Sequence, residues 1–492
     1  MHKKVLVLPV DARPVVCSQL KYLGALAGWD VILPPVKFLG FIREIADRDA
    51  LREWVLGNAP NVDGFVLSLD TLMYGGLIAS RISGEDMQSL SDRLACSREI
   101  KSEFPKKPIY GSLTTMRISN SNINEEEKEY WDKYGERIWE WSFYADKYKV
   151  HGDELDNRRS RDAQNKIPET IRTDYLQTRY RNFEIAKTII NGVVDGIFDR
   201  LILPQDDNAQ YGFNISETRR LKALIKKHGL AEKILVYSGA DEVAWTLLSH
   251  LISKLEDRAS RKVYLSWHFP EDAKSLVPRY ENQPIGVAAR NQLLAAGAQV
   301  AQSVDQADVI LAIHTARQRQ GDWALQIPLQ SRYQLRKEWI TGLRRRESEG
   351  TPIAFADLAY ANGGDPKFFD LMLDQFEPRK IAGYGAWNTA SNSLGTLAAQ
   401  IQIRSVSDFQ IPQLQLLAFR LLDDAFYQAK YRQVIRDKIG LSPPRETDRI
   451  ELEQAAQQWL TGKSLSFIRL REVVFPWART FEAGFSSDIS FP

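Results

Sequence analysis

Up to about residue 400 the chain alternates short aliphatic or β-branched runs with longer stretches in which apolar residues recur every three or four positions. Short buried runs alternating with amphipathic helices are the pattern of β-α units around a largely parallel sheet. The predicted strands are "KVLVLPV" (4–10), "WDVILPP" (29–35), "VDGFVLSLD" (62–70), "KPIYGSLT" (107–114), "FDRLILPQ" (198–205), "EKILVYSG" (232–239), "RKVYLSWH" (261–268), "ADVILAIHT" (307–315), "PIAFADLA" (352–359) and "KIAGYGAW" (380–387). They outnumber the eight of a bare (β/α) barrel. The expected fold is therefore an α/β, TIM-barrel-like body with additions, and the alternative is two Rossmann-like α/β domains.

Two regions depart from this alternation. Residues 120–195 are charged and aromatic and lack strand signals; Leu176, Tyr180, Phe183, Ala186 and Ile190 recur at helical spacing and predict one helix face, so the segment reads as a helical insertion. Within it, "HGDELDNRRSRDAQNKIP" reads as a solvated connection. Beyond residue 400, "LQLLAFRLLDDAFYQAKYRQVIRDKIG" predicts a long helix with Leu422, Phe426 and Ala429 on one stripe and Gly440 as its stop. A second helical stretch, "ELEQAAQQWLTG", follows, and the apolar tail "VVFPWARTFEAGF" is expected to pack back onto the body. The expected organisation is a catalytic region over 1–400 carrying the insertion at 120–195, a candidate boundary near 270–285, and a mostly helical region over 401–492.

Composition narrows the partners. With 65 Lys plus Arg against 63 Asp plus Glu, the net charge is +2 and no stretch supplies a basic footprint for nucleic acid. Cys17 and Cys96 are too few for a disulfide framework, and the six scattered histidines form no spaced zinc motif. The apolar start "MHKKVLVLPVDARP" is interrupted by Pro9 and Asp11 before it could serve as a secretory or spanning segment. A cytoplasmic protein with no membrane partner is expected, acting on a small molecule or oligosaccharide, without an implied cofactor or metal; self-association into a homo-oligomer is left open.

The chemistry-bearing residues gather where strands end. "PVDARP" brings Asp11 and Arg13; "SLDTLMYGG" brings Asp70 and Tyr74; "GSLTTMRISNSN" brings Thr114, Arg117 and Asn120; "LILPQDDNAQYG" brings Asp206, Asp207, Asn208 and Tyr211. "YSGADE" then adds Asp241 and Glu242, "SWH" His268, "IHT" His314, "ADLAYANGGD" Asp357 and Asn362, and "GYGAWNTASNS" Trp387, Asn388 and Asn392. In parallel α/β folds the loops after strand C-termini converge on the ligand-binding face. Each residue also has a plainer reading: an aspartate before a helix caps it, glycines serve turns, and a histidine or tryptophan fills a core.

The adjacent pair Asp206 and Asp207 is the strongest chemical signal, because like charges held close raise one pKa and leave an acid beside a carboxylate. Three classes of function fit: glycoside chemistry with acids, asparagines and stacking aromatics; metal-assisted hydrolysis through Asp11, Asp206, Asp207, His268 or His314; or a non-catalytic carbohydrate-binding module. The abundance of Asp, Asn and Trp over His favours the first. "YGGLIASRISG" lacks the lysine and spacing of a phosphate-binding loop, no Gly-x-Gly-x-x-Gly follows the first strand, and "YSGADE" is no nucleophile elbow.

At "LPVDARPV", "SLDTLMYGGLIASR", "LPQDDNAQYGFNISE", "YSGADEVAW", "GYGAWNTASNSLGT" and "PWARTFE", the chain resembles, over nearly its whole length, a family of bacterial proteins of about this size catalogued as a domain of unknown function. More distantly, the aspartate pair resembles that of barrel N-acetylhexosaminidases, in which the substrate's acetamido group is the nucleophile. That resemblance implies Asp206 as the orienting carboxylate, Asp207 as general acid, and Asn388 and Trp387 as sugar-holding residues. The odd first-strand "DARP" and most other segments depart from those enzymes. The expected function is hydrolysis of a glycosidic bond in an amino-sugar-containing glycan or oligosaccharide. Asp206 and Asp207 would be catalytic, and Asp11, Arg13, Asp70, Tyr74, Asn208, Tyr211, Asp241, Glu242, Trp387, Asn388 and Asn392 would line the substrate site.

Overall fold

A computed structural model describes residues 3–317, 319–330, 333–404 and 411–490. The chain divides into two compact units. Residues 1–12, 31–244 and 280–282 form the first, and residues 13–30, 245–279 and 283–492 the second.

The first unit is built on an open sheet of β1 (Lys4–Leu8), β2 (Asp30–Ile32), β3 (Gly64–Ser68), β4 (Ile109–Ser112), β5 (Arg200–Gln205) and β6 (Ile234–Ser238), in the order β2-β1-β3-β4-β5-β6. The β1-β3, β3-β4, β4-β5 and β5-β6 pairs are parallel. Every residue of β3 and β5 is buried, which is why these strands read as unbroken aliphatic runs instead of alternating ones. Two short helices, α1 (Leu69–Tyr74) and α2 (Leu77–Ile82), follow β3 directly.

Between β4 and β5 lie α3 (Trp131–His151), α4 (Glu154–Asn165) and α5 (Glu169–Val194). They share a core of Trp131, Ile138, Trp141, Ile167 and Tyr175. The face of α5 differs from the expected one: Leu176 and Tyr180 are exposed, whereas Tyr175 and Arg179 are buried with Phe183, Ala186 and Ile190. One aromatic and one ionic contact turn the helix this way. Tyr175 packs on Trp131 at 5.7 Å between ring centroids, and the Arg179 guanidinium pairs with Glu217 at 2.5 Å. The supposed connection after His151 is also ordered as α4, because Asp153 accepts from the Leu155 N–H as a cap and Asp156 pairs with Lys147 at 3.0 Å.

The second unit carries an open sheet of β7 (Lys262–Trp267), β8 (Gln299–Val300), β9 (Val309–His314), β10 (Ile353–Asp357) and β11 (Gly383–Gly385), in the order β11-β10-β9-β7-β8. Its strands alternate between two cores. Ile310, Ala312 and Phe355 face one that includes Phe368 and Leu417, while Leu311, Ile313, Ala354 and Ala356 face another that includes Leu397 and Ile401. Helix α6 (Ile285–Ala296) links β7 to β8, and α7 (Ala390–Ile403) follows β11.

Both strand orders overturn the closed ring expected from the sequence. A barrel keeps consecutive strands as neighbours around a circle, whereas here the second strand of each sheet stands at an edge and the third returns past it to lie beside the first. Each sheet therefore stays open, with helices interleaved between its parallel strands.

The expected long C-terminal helix consists of α8 (Ile411–Arg420), an eleven-residue π-helix (Leu421–Tyr431) and α9 (Arg432–Ile439), ending at Gly440 with φ 64°. Leu422, Phe426 and Ala429 are buried as the stripe predicts. After α10 (Glu446–Gly462) the tail forms an antiparallel hairpin, β12 (Ile468–Val474) with β13 (Gly484–Ile489), which the sequence pattern does not predict. None of the helices among the described residues is long and apolar enough to cross a membrane.

Candidate functional site

The first sheet changes winding direction at β1, whose neighbours are β2 and β3. In open α/β sheets the crevice at the carboxyl ends of such strands is where ligands bind. Here the junction is tied by Thr71, whose hydroxyl sits 2.7 Å from the Pro9 carbonyl and 3.0 Å from that of Val10. Ser68 ends β3 and caps α1, its hydroxyl accepting from the Thr71 N–H at 3.2 Å. A small concavity opens at this point, lined by Leu8, Val66, Ser68, Ser112, Thr114 and Asp241 among others, so the ends of β1, β3, β4 and β6 all reach it.

Asp70, in the first turn of α1 and 1% exposed, stands behind the concavity wall. One carboxylate oxygen accepts from the Thr114 N–H at 2.9 Å and from its hydroxyl at 3.1 Å; the other has no hydrogen-bond partner. Burial pushes Asp70 up to about 7, against the pull of those bonds and of Arg81. Helix α1 stops at Gly75, whose φ of 88° suits glycine, and α2 then carries Arg81 inward.

Arg81 is the centre of a charged cluster. Its guanidinium lies 2.5 Å from Asp206, 3.3 Å from Glu126 and 3.7 Å from Glu127. Arg117, after β4, adds contacts of 2.7 Å to Asp207, 2.8 Å to Glu127, 3.0 Å to Glu126 and 3.9 Å to Asp206. Two guanidinium groups thus face four carboxyl groups. Asp207 sits at φ 34°, in the left-handed region that side chains rarely adopt, which turns it away from the strand direction. Burial first, and then the Asp206 charge, push Asp207 up to about 7 although Arg117 and Arg81 pull the other way.

The other residues expected at the site take several roles. Asn208 is an internal brace: its N–H donates to the Tyr280 carbonyl at 2.8 Å and its amide to the Gln205 carbonyl at 3.0 Å. Tyr211 turns to the insertion, with its hydroxyl 2.7 Å from His151 Nε2 on α3. Tyr74 is buried under the Arg181 guanidinium, 5.4 Å from its ring centre. Glu242 is fully buried and accepts from the Ala240 N–H at 3.0 Å. Asp11 is buried in the loop after β1.

Arg13, Trp387, Asn388 and Asn392 belong to the second unit. There the Arg13 guanidinium lies 5.0 Å from the Trp477 ring centre, 6.0 Å from that of Trp387 and 4.0 Å from Glu482. Asn388, at φ 59°, accepts through its carbonyl from the Asn362 N–H at 2.8 Å. Asn392 lies in the first turn of α7, where its N–H donates to the capping Thr389 hydroxyl at 3.3 Å. His268 and His314 are fully buried, also in the second unit. The candidates for metal ligation are thus divided between the units, and among the described residues no three or more His, Cys, Asp or Glu side chains are grouped to hold a metal ion.

Sequence reasoning passed over Arg81, Glu126 and Glu127 as site residues. Arg81 closes the "GGLIASR" stretch, and the glutamates belong to a run, "NEEEKE", that resembles solvated surface. The signal that could have found them is charge balance, since two half-buried adjacent aspartates need guanidinium partners.

Fold and site together define an α/β protein of two open parallel-sheet units with an arginine-carboxylate cluster at the strand ends of the first. The chain belongs to the family described as a protein of unknown function (DUF4127), whose model matches residues 5–486. Among solved structures it is similar to GanP, a glucose-galactose binding protein from Geobacillus stearothermophilus, at 8% identity, over 84% of this chain and 94% of that one, with a TM-score of 0.17. A likeness of that size carries no argument about fold or ligand. No curated protein matches the chain.

Proposed function

We propose that the first unit binds a small, hydroxyl-rich ligand, a sugar or short oligosaccharide, at the carboxyl ends of its strands. The observation that supports this is the composition of the concavity at the switch in winding direction: Ser68, Ser112, Thr114 and Asp241 line it together with the apolar Leu8 and Val66. Sugar hydroxyls pair with such mixed donors and acceptors, and sugar C–H faces need an apolar wall. Calorimetric titration of the full chain with a panel of mono- and oligosaccharides tests the reading. Saturable heat that is lost on Asp241→Asn and Thr114→Val supports it; no binding to any sugar sinks it.

A second reading adds turnover, and the asymmetry of the aspartate pair favours it. Asp206 is paired with Arg81 and Asp207 with Arg117, yet burial and the Asp206 charge lift Asp207 to about 7, where it holds a proton near neutrality. In hydrolysis of an amino-sugar glycoside, Asp207 would protonate the leaving oxygen while Asp206 orients the acetamido group that attacks the anomeric carbon. Chromogenic hexosaminides measure it directly. Turnover abolished by Asp207→Asn, with sugar binding retained, supports catalysis; binding without product at high protein concentration leaves the binding role alone.

A further inference from the structure

The two guanidinium groups of the charged cluster stand on backbone whose carbonyls the regular structure leaves over. Arg81 sits in the last turn of α2, and the carbonyls of a helix's last turn have no partner within the helix. Arg117 lies past β4, beyond Thr115, whose N–H donates to the Pro204 carbonyl of β5 at 2.9 Å. The carbonyls of Ser80, Ser83, Glu85, Met116 and Arg117 therefore need donors from another element.

Helix α5 of the insertion supplies them. The Arg181 guanidinium donates to the Ser83 carbonyl at 2.5 Å, to that of Glu85 at 3.0 Å and to that of Ser80 at 3.1 Å. Its other two N–H groups donate to the Asn182 side-chain oxygen at 2.9 and 3.1 Å, and the Asn182 amide itself donates to the Ser80 carbonyl at 2.8 Å. The Arg179 guanidinium donates to the Met116 carbonyl at 3.1 Å, to that of Arg117 at 3.4 Å and to the Tyr175 hydroxyl at 3.2 Å. Glu217, on the helix Phe213–Lys227, accepts the remaining two bonds at 2.5 and 2.9 Å. A guanidinium has five N–H donors, and both of these groups use all of theirs.

Residues two apart on a helix point to opposite sides, so α5 runs between the segment that carries Arg81 and the one that carries Arg117. Arg179 and Arg181 are both buried, where bonds from a charged donor are of the stronger kind. Their bonds go to backbone and to Asn182, Tyr175 and Glu217, which leaves the carboxyl groups of the cluster to Arg81 and Arg117.

We propose that Arg179, Arg181 and Asn182 are positioning residues of the charged site: they fix the backbone on either side of α5 and so set where the Arg81 and Arg117 guanidinium groups stand around Asp206 and Asp207. The helical insertion is then part of the site and not an attachment to the sheet. The placing of the two cations decides how firmly Asp207 holds its proton, against the like charges of Asp206 and Glu126 and with Glu127 facing both arginines. The proposal rests on the reading in which Asp207 gives that proton, and its test needs no sugar, so the two can fail separately.

The test follows Asp207 in the full chain labelled with 13C at the aspartate carboxyl carbon. Its signal is assigned by its loss in Asp207→Asn, and its titration is recorded from about pH 4 to about pH 9. Arg179→Lys and Arg181→Lys keep the charge but offer three donors from one point, too few and too close together to span the carbonyls. Freed backbone lets the cluster cations stand farther off, so Asp207 is expected to titrate higher by about one pH unit or more in each. Asn182→Leu removes a single amide and is expected to move the titration the same way by less; it decides the matter if the lysine variants do not fold. Ile190→Val, a buried change farther along α5, is the control for a merely structural role: it is expected to lower the melting temperature and leave the titration where it was. An unmoved titration in the folded variants of Arg179, Arg181 and Asn182, a downward shift in them, or an equal rise in Ile190→Val overturns the proposal.

Discussion

Arg81 reaches Asp206 at 2.5 Å from a side chain that is 1% exposed, and it is the most deeply buried cation of the first unit's charged cluster. Removing one partner of a buried pair strands the other charge, and here Glu126 and Glu127 lose a neighbour as well. Arg81→Met is expected to cost about 3–5 kcal/mol of stability. Arg81→Lys should recover part of it, since charge is kept but the planar fork is lost. Urea midpoints of both variants check this.

Asp207 supplies a pH signature. Its folded pKa of about 7 stands above the ordinary 3.8, so the folded chain holds a proton that the unfolded chain has already released. The stabilisation this gives is complete below about pH 4 and is lost as the pH rises to about 7. In Asp207→Asn that slope is absent. The difference in denaturation midpoint between wild type and variant should therefore change steadily from pH 4.5 to 7.5 and level off beyond; a constant difference would contradict the assignment.

Asp424, in the π-helix, gives the same sign over a wider window. Its Oδ2 accepts from the Ala386 N–H at 2.7 Å, and burial first among several causes lifts it to about 8 from 3.8. Asp424→Asn keeps an acceptor for Ala386 and removes the ionisable proton. Wild-type melting temperature is expected to fall relative to the variant as the pH rises through 8, with little relative change below pH 4, as thermal melts at fixed ionic strength would reveal.

Gly364 marks a steric limit in the second unit. A Cβ there would press on the Tyr384 hydroxyl and come within 2.8 Å of Asp357 Oδ2. These two groups are hydrogen-bonded to one another at 3.1 Å, so neither can retreat freely. Gly364→Ala should destabilise by about 1–3 kcal/mol through overpacking. Calorimetric unfolding measures it, and Tyr384→Phe in the same background should relieve part of the loss.

What could be read from the sequence follows from how each element is buried. Strands such as "FVLS" and "LILP" stood out because parallel strands covered on both faces consist of aliphatic runs. Their order in the sheet did not, because a run of buried residues carries no mark of which strand lies beside it, and the crossover helices decide that. Asp206 and Asp207 were visible as charges ending a buried strand. Arg81 was hidden on a short helix after two glycines, and Glu126 and Glu127 in a stretch whose charge resembles solvent-facing surface. Leu176 and Tyr180 misled because periodicity defines a stripe only to within about one residue's rotation, and Arg179 took a buried position that hydrophobicity would deny it.

Residues 13–30 belong to the second unit although residues 31–244 build most of the first. The Gln19 side chain accepts from Arg420 at 3.0 Å across 401 positions, and Tyr22 packs edge-on against Phe419 at 5.2 Å. On the ribosome, at ~5–20 residues per second, that segment waits roughly 20–80 s for its partners. Over this interval the first unit can receive nearly all of its own chain, while Gln19 and Tyr22 still lack these two partners. A product ending before α8 would never supply Phe419 and Arg420, so an early segment of the chain would be left without the late contacts that tie it into the second unit.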